Sequence, residues 1–213
     1  MKLGKFITIE GSEGAGKSTA LKFIQAYFAK LTFDIVLTRE PGGTPLAEEI
    51  RHVLLSPHHT EKMSSITELL LMFASRAQHI HQLIQPSLQA GKWVISDRFI
   101  DATYAYQGGG RQIDTQQIEA LDHLTVKNYY PNLTLLLDIS PELGLARTMQ
   151  RGTQKDRIEQ ERIDFFERVR QGYLTRAEQD PKRIKIINAE QALVDVQADM
   201  KAVLDTFIAE QAS

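Results

Sequence analysis

Apolar runs bounded by glycine, proline or charge divide the chain into short and long segments in alternation. KFITIE, DIVLTRE, KWVISD, NLTLLLDIS and RIKIIN are short, rich in β-branched and aromatic residues, and read as five strands. Between them the period changes. From Lys17 to Leu31, apolar residues fall at Ala20, Leu21, Ile24, Tyr27, Phe28 and Leu31, which is helical spacing. The same spacing predicts helices over Leu46–Leu55, a long apolar one over Thr67–Leu88, and others over Glu119–Tyr129 and Ile163–Ala177. A further helix opens at Pro141 and Glu142, and a closing amphipathic one covers Ala192–Ile208. Strands that alternate with helices and are apolar throughout predict a parallel five-stranded sheet flanked by helices on both faces, an α/β fold. No repeat or linker interrupts the pattern, so a single domain over residues 1–213 is expected. In such a sheet ligands gather at the carboxyl ends of the strands. That edge would collect Gly11 to Ser18, Arg39 with Glu40, Asp97 with Arg98, and Asp138.

Composition narrows the class. The chain is 42% hydrophobic and 24% charged, enough for one sizeable core. A net charge of -2 gives no basic surface, so nucleic acid is not an expected partner. Without cysteine there is no disulfide and no thiolate metal site. The first apolar run is too short for a signal peptide, and no run approaches the ~20 residues that span a bilayer. A cytoplasmic protein with no membrane partner is expected.

The chemistry starts at GSEGAGKS, which fits G-x-x-x-x-G-K-[ST] between a strand and a helix. Backbone N–H groups of such a loop point at a polyphosphate, and the following helix adds its positive end. Gly11 and Gly16 allow close approach, Lys17 supplies a mobile charge, and the Ser18 hydroxyl can ligate magnesium. Glu13 puts a carboxylate inside this anion bed, which the loop alone does not explain. ISDRF places Asp97 where it can hold magnesium and Arg98 where it can grip a phosphate. LTREPGGT carries Arg39 and Glu40 into a tight turn, and Arg51 lies on the next helix. Arg76 follows LLLMFAS, so it needs a partner or a ligand. YAYQGGGR joins two tyrosines and a glutamine amide to a flexible glycine turn; such groups contact a ring and its edge. In RTMQRGTQKDRIEQER, over about 147–161, several guanidinium groups surround a glycine, as suits a flap closing on a triphosphate. There is no N-K-x-D motif of the guanine-reading switches.

EGSEGAGKST, TREPGGT, SDRF, AYQGGGR, LLLDISPELGLAR and DRIEQE, in this order, closely resemble the bacterial thymidylate kinases, P-loop nucleoside monophosphate kinases that phosphorylate dTMP to dTDP with ATP. The likeness covers nearly the whole chain. It implies dTTP biosynthesis, ATP and Mg2+ as donor and metal, and a homodimer built on long helices. It implies ATP binding by the loop residues Gly11, Ser12, Glu13, Gly14, Ala15 and Gly16, then Lys17, Ser18 and Thr19, with Arg147 against adenine. Ser18 and Asp97 would serve the metal. Arg98 and Arg51 would bind the dTMP phosphate with Arg39 and Glu40 close by, and Glu13 would take the 3′-hydroxyl. Tyr106 would pack beneath the sugar, while Arg76, Thr103 and Gln107 read the thymine edge. Arg151 and Arg157 of the flap (LID) would close over the phosphates; with Lys17 and Arg98 they form the expected catalytic set. Eukaryotic relatives carry a loop arginine at the position of Gly14, so here the flap arginines would supply that charge. Family members usually stack a phenylalanine on the base four residues before the thymine-reading arginine. That position is Met72 here and Phe73 follows it, so either Met72 or Phe73 would cover the ring.

Overall fold

The structure is a computed structural model and describes residues 3–31, 33–150 and 156–212. Five parallel strands form the expected sheet: β1 (Phe6–Glu10), β2 (Ile35–Arg39), β3 (Trp93–Asp97), β4 (Leu133–Asp138) and β5 (Ile184–Asn188), in the order β2-β3-β1-β4-β5. Strand side chains alternate between faces, so each strand serves two cores. Ile7 and Ile9 of β1 and Leu135 and Leu137 of β4 pack against α1 (Lys17–Ala29) and α9 (Leu193–Ala212) through Ile24, Phe28, Met200 and Leu204. Phe6 and Val94 turn the other way, to Leu69, Phe73 and Ile80. Leu136 and Ile184 meet Phe166 and Val169 of α8 (Ile163–Gln179) on that same side. Double coverage is why the central strands read as continuous apolar runs.

The remaining helices shape the active edge. The turn after β2 leads into α2 (Pro45–Leu55). The long apolar helix predicted over Thr67–Leu88 is three pieces: α3 (Ser65–His79), a π-helical stretch Ile80–Ile84, and α4 (Gln85–Gln89). It starts earlier than apolar spacing suggests because Ser64 caps it, accepting from the Thr67 N–H. After β3 come α5 (Ile100–Thr103) and a second π-helical segment, Tyr104–Gly110. This corrects the reading of YAYQGGGR as a flexible turn. Gly109 is small because a Cβ there would meet the Arg168 carbonyl oxygen at 2.6 Å, so the run packs tightly on α8. The helix expected over Glu119–Tyr129 is α6 (Thr115–Thr125), capped by Asp114 through the Gln116 N–H. After β4, α7 (Pro141–Met149) runs into the segment expected to form the flap. Arg151, expected in the flap, lies outside the described residues.

Candidate functional site

Register brings the scattered motifs together. Asp97 at the end of β3 is paired with Ile9 of β1 on one side and with Arg39 of β2 on the other. The phosphate loop follows β1 directly. Its backbone is pressed against α7: a Cβ on Gly14, where φ is +74°, would lie 2.0 Å from the Gly144 carbonyl oxygen. Lys17 starts α1, and its Nζ reaches back to donate to the carbonyl oxygens of Gly11 (2.8 Å) and Ser12 (2.9 Å). Burial, reinforced by the Arg98 charge, lowers its pKa to about 8.

Arg98 is the hinge of the site. It sits at φ +66°, a left-handed conformation that costs a non-glycine residue roughly 1–3 kcal/mol. Three bonds hold it there. The Arg98 N–H donates to the Ile9 carbonyl (3.0 Å), the Ser96 hydroxyl donates to the Arg98 carbonyl (2.7 Å), and the next N–H, of Phe99, donates to Glu10 Oε1 (2.7 Å). Glu10 is fully buried and also accepts from the Tyr173 hydroxyl (2.8 Å). Burial, then the charge of Asp101, pushes its pKa up to about 8, so near neutrality it is an uncharged acid. The result aims the Arg98 guanidinium at Glu13 (2.9 Å) and at the Tyr106 hydroxyl (2.8 Å), and that hydroxyl donates to both Glu13 oxygens at 2.8 Å. Glu13 thus faces Arg98 and Tyr106.

A pocket opens beyond this cluster. Glu13, Arg98 and Tyr106 form one wall, Arg76, Thr103 and Gln107 another, and Arg51 and Met72 also line it. Arg76 is 2% exposed. Its Nε donates to Glu40 (2.8 Å) and its Nη2 to the Phe99 carbonyl (3.1 Å). Glu40 is oriented in turn by His79 Nδ1 (2.9 Å), whose other nitrogen meets the Thr38 hydroxyl at 2.7 Å. This leaves Arg76 Nη1 buried with no hydrogen-bond partner among the described residues, and Thr103 Oγ1 is in the same condition. A buried unpaired polar group costs about 1–3 kcal/mol. With Arg98 Nε, also unpartnered among the described residues, three such atoms belong to residues lining one pocket and mark places for a polar ligand. Of the two candidate stacking residues, Met72 lines the pocket, whereas Phe73 is buried in the core with the Arg76 guanidinium 5.1 Å from its ring centroid.

A separate depression lies beside the loop, lined by Gly14, Gly16, Thr19, Arg147, Ala189 and Gln191. Arg147 is held there by its bond to the Ala189 carbonyl (2.9 Å). Ala189 and Gln191 were not predicted from sequence; their signal is position, just past the carboxyl end of β5. Ser18 and Asp97 share the wall of a third, open depression with Arg39. Arg39 is exposed there and paired with Glu48 at 2.9 Å. A buried Asp97 oxygen has no hydrogen-bond partner among the described residues. Hard oxygen donors from a hydroxyl and a carboxylate suit magnesium, which keeps several waters of its own. Asp138, by contrast, is bound at both oxygens by Arg170 at 2.8 Å. Arg157 stands apart from the expectation that it closes over the phosphates. Its Nε donates to the Leu54 carbonyl (2.8 Å) and its Nη1 pairs with Glu68 (2.7 Å), so it ties its own segment to α2 and α3.

Residues 9–200 match the family model described as thymidylate kinase. The thymidylate kinase of Hahella chejuensis is 52% identical over 93% of this chain and 94% of its own. That of Teredinibacter turnerae is 49% identical over 96% and 99%. The crystal structure of thymidylate kinase from Ehrlichia chaffeensis superposes with a TM-score of 0.75 at 34% identity, covering 94% of this chain and 98% of that one.

Proposed function

The chain belongs to the thymidylate kinase family, and from that premise we propose how its residues divide the phosphorylation of dTMP to dTDP. ATP is the phosphoryl donor, seated on the loop amides with its adenine toward Arg147. dTMP occupies the pocket lined by Arg76 and Gln107. The acceptor phosphate oxygen attacks the γ-phosphorus in line, the bond to the β–γ bridging oxygen breaks, and ADP leaves. The acceptor oxygen is already ionised near neutral pH, so no general base is assigned. Lys17 neutralises charge on the transferring group, and Arg98, fixed by its strained backbone, aligns the acceptor oxygen, with Arg51 and Arg39 nearby. Ser18 and Asp97 would hold Mg2+, which supplies charge neutralisation across the donor phosphates. Glu13 receives the 3′-hydroxyl, Tyr106 packs under the sugar, and Met72 covers the ring. Arg151 contributes charge from the flap.

The observation that carries this division is the pair of unsatisfied buried atoms, Arg76 Nη1 and Thr103 Oγ1, beside a pocket that joins the phosphate loop through Glu13 and Arg98. A base edge carrying carbonyl oxygens satisfies both, accepting from Arg76 Nη1 and from the Thr103 hydroxyl. Single-domain action in the cytoplasm as a homodimer is part of the same reading. Ile66 and Leu70, one turn apart on α3 and about half exposed, supply apolar surface for the partner. ADP release measured with dTMP, dUMP and AMP as acceptors tests the assignment. dTMP is expected to exceed AMP by orders of magnitude, and comparable rates with AMP would refute the base-reading role of Arg76 and Thr103.

A further inference from the structure

Behind the base-reading wall lies a buried carboxylate that the phosphoryl transfer does not use. Glu68, on the first turn of α3, is 1% exposed. Three partners converge on it. Arg111, just past the second π-helical segment, donates its Nε to both oxygens (3.1 and 3.2 Å), and Arg157 on the flap stem pairs at 2.7 Å. The third is the side-chain nitrogen of Gln107, 2.8 Å from Glu68 Oε1. Arg111 is itself fixed by Glu161 and by the face of the Phe165 ring, 4.7 Å from its centroid. Burial pushes the Glu68 carboxyl up, but the bonds from Arg111 and Gln107 and the charge of Arg157 outweigh it and hold the pKa below the usual carboxylate value.

An ionised carboxylate only accepts hydrogen bonds. The amide of Gln107 must therefore turn its nitrogen to Glu68. We propose that Glu68 is a positioning residue that locks the polarity of the Gln107 amide, so that its oxygen is left to face the pocket and select a pyrimidine carrying an N3–H donor. The inference rests on the functional reading above. A 2,4-dioxo pyrimidine offers that N–H. A 4-amino pyrimidine offers a lone pair at N3 instead, and the fixed oxygen repels it. Without the lock the amide can rotate by half a turn and present N–H groups, which accommodates the wrong base. Glu68 holds Arg157 as well, so the same carboxylate sets the polarity of the base reader and tethers the flap stem.

Glu68→Gln tests this, because glutamine accepts or donates and no longer dictates the orientation. Wild type is assayed first with dTMP; absence of turnover overturns the functional reading itself. Given turnover, the variant is expected to raise KM for dTMP and to lower the preference for dTMP over competing dCMP by roughly tenfold, the scale of one buried hydrogen bond. Loosening the flap stem is expected to change kcat for both nucleotides alike, so the preference between them is the readout specific to the lock. In a Gln107→Ala background the same change is expected to cause no further loss of preference. An unchanged preference, or a fall in kcat with no change in the preference, overturns the proposal. Should the variant fail to fold, 15N-glutamine-labelled wild type decides. Two well-separated Gln107 side-chain proton resonances, one downfield and protected from exchange, support the lock, and two at free-amide positions overturn it.

Discussion

Glu10 allows a quantitative test of how the site is held together. It lies at the end of β1, fully buried, with the Phe99 N–H and the Tyr173 hydroxyl as its partners. Its pKa is raised from 4.5 to about 8, first by burial and then by Asp101, against the opposing hydrogen bond from Tyr173, the Arg98 charge and the Phe99 N–H. The native state thus keeps a proton that the unfolded chain releases between those values. Folding stability must fall as pH rises through that window, by up to ~1.4 kcal/mol per unit, and this contribution levels off above about pH 8. Glu10→Gln keeps an acceptor for the Phe99 N–H, turns the Tyr173 hydroxyl from donor to acceptor, and cannot ionise. Urea unfolding of both proteins at several pH values isolates the group, because all other titrations cancel in the difference. Between pH 5 and 8 the wild type is expected to lose about 4 kcal/mol relative to the variant, or roughly 8–16 °C in Tm for a chain of this size. If the difference stays flat within about 0.5 kcal/mol over that range, the carboxyl ionises normally in the fold and the neutral-acid anchor for Arg98 is wrong.

Other substitutions probe separate parts. Lys17→Ala should cut kcat by at least about a thousandfold with an unchanged melting curve, since charge neutralisation in phosphoryl transfer is lost while the fold is not; near-normal turnover would falsify its transfer role. Asp97→Asn should raise the magnesium concentration needed for half-maximal rate by about tenfold or more and leave dTMP affinity alone, so an unaltered magnesium titration removes Asp97 from the metal site. Gly14→Ala forces a Cβ to within 2.0 Å of the Gly144 carbonyl and should weaken ATP binding by tenfold or more, read by calorimetry with dTMP binding as control.

The sheet and the phosphate loop were legible because their signals are local. A buried parallel strand is a β-branched run, and the loop is defined by spacing alone. Other features depend on partners far away in sequence. Asp97 and Asp138 both close an apolar strand, and only Arg170 from α8 distinguishes the occupied carboxylate from the one with an unpaired oxygen. Glu68 in the first turn of a helix reads as a solvated residue favouring the helix dipole. Its burial follows from the meeting of α3 with Arg111 and Arg157, drawn from two other parts of the chain. The segment Tyr104–Gly110 reads as a turn because three glycines in a row favour one, and a π-helical hydrogen-bond pattern has no sequence signature. Nor does a guanidinium in a charged run reveal which carboxylate will claim it, as Glu68 claims Arg157.

The contact between the phosphate loop and α7 limits what substitution can do to this enzyme. The obstacle at Gly14 is a main-chain oxygen of a neighbouring helix, and no replacement at position 144 removes a main-chain oxygen. Any side chain at position 14, an arginine included, therefore requires the loop or α7 to shift, so adding positive charge at this point of the loop is coupled to the packing of the helix beside it.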